Sequence, residues 1–233
     1  MAERPEPTSR RRYAELVARV GRGMFPRTAD FRALLGDQAE VAVEALQALA
    51  EYAATGEVDA GERVATVEKR GDRLRERNLA TLNRAFTTTY DRDLTAVAIR
   101  RIDDVANYAK TTVREMGLLA MEPDATVRAI AELLSAGAVE LRAAVAGLGG
   151  DPRLVEVHVV RVHKAERRVE KIYRAAFAEL FAADARARWR SGDPIDGLLD
   201  ALRRREVYRH LSNAADRLDA AGQVIMDIAV ATV

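Results

Sequence analysis

Asp30 to Ala54 reads DFRALLGDQAEVAVEALQALAEYAA. Leu34, Leu35, Ala39, Ala42, Val43, Leu46 and Leu49 or Ala50 recur every three or four positions, so a helix over this stretch carries one apolar face. Thr55-Gly56-Glu57-Val58-Asp59 breaks the pattern. Beyond it a second helix is expected over Ala60 to Phe86, with Val64, Val67, Gly71, Leu74, Asn78 and Leu82 along one stripe. Thr87-Thr88-Thr89-Tyr90 reads as a turn, and Asp91 suits the N-cap of a third helix reaching Ala120.

Met121-Glu122-Pro123-Asp124 ends that helix, because proline disfavours helical backbone in the residue before it. A fourth helix runs from Thr126 to Leu148 and stops at Gly149-Gly150-Asp151. Pro152 fits the first turn of a fifth, which continues to Phe181. Arg186 to Pro194, with Trp189, reads as a connection, and a last helix covers Ile195 to Val230. Strand-like alternation is almost absent. The expectation is an all-α protein of six long helices, more than ~70% helical against the usual third, with short connections that make neighbours antiparallel.

The helices divide three and three. Residues 1–24 are expected to form a flexible polar arm, 25–122 a first three-helix repeat and 123–233 a second. Glu68-Lys69-Arg70-Gly71-Asp72 in the second helix is echoed by Glu166-Arg167-Arg168-Val169-Glu170 in the fifth. Asp103 and Asp216 follow in the third and sixth helices, each with a second acid nearby, Asp104 or Asp219. Such self-similarity reads as a degenerate duplication.

Thirty-seven basic and thirty-six acidic residues leave a formal charge of +1, without the basic excess of a nucleic-acid binder. The absence of cysteine removes disulfides, thiolate metal sites and cysteine nucleophiles, and fits a cytoplasmic setting. No run approaches the ~18–20 apolar residues of a membrane span. Arg10-Arg11-Arg12 precedes no apolar stretch, so the start does not read as a secretory signal. Gly149-Gly150 and Gly21-Arg22-Gly23 lack the lysine of a phosphate-binding loop. His158 and His163, five apart, share a face poorly, and His210 stands alone. No catalytic constellation emerges, and the expectation is a protein that is not an enzyme.

The acids remain the candidates for chemistry. Glu68 with Asp72, and Glu166 with Glu170, are four apart and share a helix face, where like charges repel unless a cation offsets them. Hard cations favour carboxylate oxygen. The plainer alternative is a set of salt-bridge partners, since Lys69, Arg70, Arg73 and Arg75 surround Glu68 and Asp72.

Several motifs carry a family resemblance. Phe25-Pro26-Arg27, Phe31, Leu34 and Gln38-Ala39 open it. Val67 to Asp72, Leu82-Asn83-Arg84-Ala85-Phe86-Thr87-Thr88, Tyr90-Asp91-Arg92-Asp93 and Ile102-Asp103-Asp104-Val105 continue it. Ala165 to Arg174 and Asn213-Ala214-Ala215-Asp216-Arg217 complete it in the second half. Together these resemble the PhoU-like chains of the domain of unknown function 47 branch. The resemblance implies two similar three-helix bundles and a regulatory or accessory role at Pit-type inorganic phosphate transporters or their regulatory proteins. It also implies peripheral contact with the inner face of the membrane and leaves homo-oligomers open.

Some relatives hold multinuclear metal clusters through Glu/Asp-x-x-x-Asp motifs. Carried over by position, this points to Glu68, Asp72, Asp103 and Asp104 in the first half and Glu166, Glu170 and Asp216 in the second, with iron, manganese or zinc as the metal. The alternative function is therefore a metal-binding helical protein or metalloenzyme. Asn107 and Ala220 stand where the family pattern has Asp, and Glu170 replaces another. The first half is expected to keep the better site.

Overall fold

A computed structural model describes residues 29–182 and 194–232. The N-terminal arm, the Phe25-Pro26-Arg27 motif and the connection holding Trp189 lie outside the described residues. Six helices follow one another: α1 Phe31–Thr55, α2 Val58–Arg84, α3 Arg92–Leu118, α4 Ala125–Ala146, α5 Pro152–Leu180 and α6 Pro194–Ala231. They take up 87% of the described residues, none of which is in a strand.

Aspartates start four of the helices. Asp30, Asp91 and Asp124 accept from the backbone N–H of Ala33, Leu94 and Val127 at 3.0, 2.8 and 2.9 Å. Asp151 accepts from Arg153 N–H at 2.9 Å, just ahead of a helix that opens on Pro152. Each satisfies an N–H that the first helical turn leaves without an intrahelical partner. Gly56 closes α1 with φ 70°, a left-handed conformation open to glycine, and donates its N–H to Tyr52 O.

α1, α3, α4 and α6 make up the middle of the molecule. α1 packs on α3 and α4, and α6 packs on α3 and α4 in turn. α2 lies outside against α1 and α3, and α5 lies outside against α4 and α6. Leu35, Leu46, Ile99, Ile102, Leu134, Leu141, Leu211 and Leu218 belong to one buried cluster drawn from both three-helix sets. The outer helices bury less: from α5 only Val155, Val162, Ala165, Val169 and Ala176 go fully inside. None of the described helices is long and apolar enough to cross a membrane.

Polar ties also join the two sets. Arg142 of α4 lies 2.8 Å from Glu40 of α1. Asp124, besides capping α4, accepts from Arg204 and from the Tyr208 hydroxyl of α6, both at 2.5 Å. Burial and the adjoining Asp124 push the Tyr208 hydroxyl up to about 12.

Two expectations for α2 change. Leu82 is buried at 1% exposure, but Leu74 is only half-buried and lines an open groove between α1 and α2 with Val41, Arg70, Arg73 and Arg77. Glu68, absent from the expected apolar stripe of Val64, Val67 and Gly71, is buried alongside it. Gly71 explains the tight fit, since a Cβ there would meet Val41 Cγ1 at 3.0 Å.

Candidate functional site

Ion pairs fix the register of the outer helices, and that register decides which acids meet. On α2 and α3, Lys110 pairs with Glu68 and Arg75 with Asp103, while Arg92 donates to the Leu82 and Ala85 carbonyls. The helices therefore run antiparallel. Glu68 lies seven residues from Arg75, so it sits ~10 Å along the axis from the level of Asp103 at 1.5 Å per residue. The structure does not bring Glu68 to Asp103. It brings Asp72 there, through Arg75.

Asp103 is 3% exposed and stands in a polar chain that crosses three helices. Its Oδ1 accepts from Gln38 Nε2 at 3.1 Å, and its Oδ2 accepts from Asn107 Nδ2 at 3.0 Å. Asn78 continues the chain by donating to Gln38 Oε1 at 3.3 Å and to Leu34 O at 3.1 Å. Arg75 Nε is 3.2 Å from Asp103 Oδ2, close enough for an ion pair but without hydrogen-bond alignment. The same guanidinium donates to Asp72 Oδ1 at 3.1 Å. Burial pushes the Asp103 carboxyl up to about 6, against the pull of Arg75. Asp104 points away, 3.8 Å from Arg101 on the half-exposed face.

The second half is built differently. His163 lies 3.2 Å from Asp219, and Glu170 accepts from Ser212 at 3.0 Å. This register sets Glu166 level with Asp216. Burial first, then Asp219, Asp216 and Glu170, hold the Glu166 carboxyl above its usual range, with His163 opposing. Asp216 is raised by burial and by Glu170 and Asp219, with Arg217 opposing. Glu170 also takes a 2.6 Å contact from Arg174, and Asp219 accepts from Gln223 at 2.5 Å.

The acids thus separate into two unlike groups. In the first half Lys110, Arg75 and Asn107 already face Glu68, Asp72 and Asp103. In the second, Glu166, Glu170, Asp216 and Asp219 repel one another, with His163 beside Glu166 and Asp219, Arg174 on Glu170 and Arg217 opposing at Asp216. As arranged here neither group forms a metal cage: among the described residues no three His, Cys, Asp or Glu side chains converge to hold an ion. Asn107 is spent on Asp103, and Ala220 has no donor atom. Asp219 and His163 are members of the second cluster that the residue-by-residue carry-over left out. The echo of Asp104 by Asp219 was the signal for one; the i, i+3 spacing of His163 and Glu166, 3.9 Å apart here, was the signal for the other. The remaining histidines make ion pairs or near contacts, His158 at 2.6 Å from Glu140 and His210 at 3.6 Å from Glu206.

The fold is all-helical and PhoU-like in architecture. Among solved structures the chain is similar to a PhoU-like protein from Shewanella oneidensis MR-1, with a TM-score of 0.68 and 16% identity, covering 86% of this chain and 99% of that one. At that identity the likeness speaks for the fold. No protein-family model and no curated protein matches the chain.

Proposed function

We propose that this protein is a non-enzymatic regulator of inorganic phosphate transport, acting at a membrane phosphate transporter of the Pit type. The observation that carries this reading is the fold, which matches a PhoU-like protein along almost all of that protein's length. The motifs from Glu68 to Asp104 and from Ala165 to Arg174 support it, since they resemble the branch tied to such transporters. The acids support it too. Glu68 and Asp103 are buried between packed helices and held by Lys110 and Asn107, with Asp72 at the half-exposed edge on Arg75, an arrangement that fixes a scaffold rather than presents a reactive group. The protein works on the cytoplasmic side, as a surface presented to the transporter or to its regulatory proteins.

The test is uptake. Deleting the gene in its own host is expected to change the rate of radiolabelled phosphate entry, and supplying the chain in trans is expected to restore it. A tagged copy should bring down a phosphate permease from solubilised membranes. Unchanged uptake together with a pull-down free of any permease would sink the proposal.

A further inference from the structure

α5 sorts its charges by face. The acids Glu166 and Glu170 turn toward α6, where they meet Asp216, Asp219 and Ser212. The bases turn outward. Lys164, Arg167, Arg168 and Lys171 are all exposed. Their spacing of i, i+3, i+4 and i+7 puts them on one stripe. Among the described residues none of the four has an ion pair or a side-chain hydrogen bond, whereas Arg161 and Arg174 on the same helix pair with Glu140 and Glu170. Between Leu154 and Ala178 the one exposed acid is Glu156, at the apolar end, and none interrupts the basic stretch from Val157 onward.

One turn earlier the same stripe becomes apolar. Leu154, Val157 and Val160 are 63%, 48% and 42% exposed. Their side chains stand opposite Val155, Val162 and Val169, which fill the core. The outward stripe from Leu154 to Ala178 is ~36 Å long at 1.5 Å per residue.

α2, the other outer helix, is the internal control. Its Arg63, Arg70 and Arg77 lie against Glu51, Glu44 and Asp37 of α1. Exposed Glu62 and Glu76 interleave with Lys69 and Arg73, Arg75 turns inward to Asp103, and Arg84 stands at the helix end. A helix that covers a three-helix set can therefore neutralise its outer face, and α5 does not.

We propose that the outer face of α5 docks on an anionic phospholipid bilayer. Unpaired cations along a convex helix face meet a plane of anionic headgroups without needing a pocket, each contributing through the surface potential. Leu154, Val157 and Val160 enter the headgroup boundary at one end, the combination of apolar and basic side chains that holds a helix in an interface. Long Lys and Arg stems lie along the boundary with their charges at the headgroups. A nucleic-acid duplex offers the three apolar residues nothing, and the chain's overall charge of +1 lacks the excess that duplex binding draws on. The inference stands on α5 alone and does not depend on the phosphate reading.

Sedimentation of the full-length protein with vesicles tests it. Binding is expected to vesicles containing about a third phosphatidylglycerol, to be much weaker to pure phosphatidylcholine, and to fade between about 0.05 and 0.5 M salt as screening shortens the reach of the charges. Lys164→Gln/Arg168→Gln is expected to weaken binding about tenfold, and the α2 pair Lys69→Gln/Arg73→Gln to change it less than about twofold. Val157→Ser should weaken binding at every salt concentration. All of these positions are exposed, and circular dichroism of each variant checks that the helices persist. Failure of the parent to bind anionic vesicles, equal binding to neutral ones, equal loss in the α2 pair, or tighter binding to an RNA duplex than to the vesicles would each overturn the inference.

Discussion

Lys110 on α3 holds its ammonium 2.8 Å from Oε2 of Glu68, a carboxylate of α2 that is 3% exposed. Glu68 cannot reach water for compensation, while the lysine stem runs out to the surface. Removing the cation leaves a buried acid without its partner, which costs more than the pair contributes. Lys110→Met is expected to lower the unfolding free energy by about 1–3 kcal/mol, less than a fully buried pair because Lys110 is partly solvated. Lys110→Met with Glu68→Leu should recover most of that loss in denaturant melts. A double variant as unstable as the single one would show that the pair does not act as described.

Leu82 and Leu74 share a stripe in sequence but not in burial. Leu82→Ala empties a site at 1% exposure and is expected to cost roughly 2–5 kcal/mol. Leu74→Ala, on the rim of the α1–α2 groove, should cost less than about 1 kcal/mol because its neighbours and water already share that space. Equal losses would place both leucines in the core.

Much of this was legible beforehand. The apolar spacing in Asp30 to Ala54 and the N-cap at Asp91 act within a few residues, where helix period and capping chemistry are local; the caps at Asp30, Asp124 and Asp151 are equally local and emerged from the structure. All six helices fall within about two residues of their expected bounds, the ordinary uncertainty of a frayed end. The site was less legible because it depends on how helices slide past one another. Asp72 and Glu68 are four residues apart, yet one turns to Arg75 and Asp103 and the other to Lys110, forty-two positions on. Gln38, sixty-five positions from Asp103, joins it by a hydrogen bond that no spacing announces. The seam that buries Glu68 also depends on a close approach at Gly71, which a wheel of α2 alone does not contain.

Asp103 sets a sign for the pH dependence. Burial raises its carboxyl to about 6 in the folded protein, from 3.8. Between those values the folded state binds more protons than the unfolded chain, so stability falls as pH rises through the window. The contribution is fully present below about pH 4 and lost above about pH 6; its ceiling is roughly 3 kcal/mol at 1.36 kcal/mol per unit. Other acids shift in both directions: Glu166 and Asp216 are raised as Asp103 is, while Arg209 keeps Glu206 below its usual range and the contacts from His158 and Arg161, outweighing burial, do the same for Glu140. The informative quantity is therefore the parent's stability minus that of Asp103→Asn. This difference should decline between pH 4 and pH 7, and a difference that rises or stays level would mean that folding does not raise the Asp103 carboxyl.

Metal addition separates the two groups of acids. A site filled at a hundred times its Kd would add about 2.7 kcal/mol, or ~5–10 °C in Tm for a chain of this length. In the first half an incoming cation must displace Arg75 from Asp72 and Asp103, and Lys110 from Glu68, and Asn107 offers no charge. Iron, manganese or zinc is therefore expected to move the parent Tm by less than about 1 °C through these residues, and Asp72→Asn should respond as the parent does. In the second half Glu166 and Asp216 already hold their protons above the usual range, so a metal must compete with protons as well as with His163. Any shift that arises there should shrink as pH falls into the carboxylate range, vanish in Asp216→Asn and survive in Asp72→Asn. A shift of several degrees abolished by Asp72→Asn would instead mean that Arg75 and Lys110 swing aside and that Asp72 and Asp103 do bind the ion.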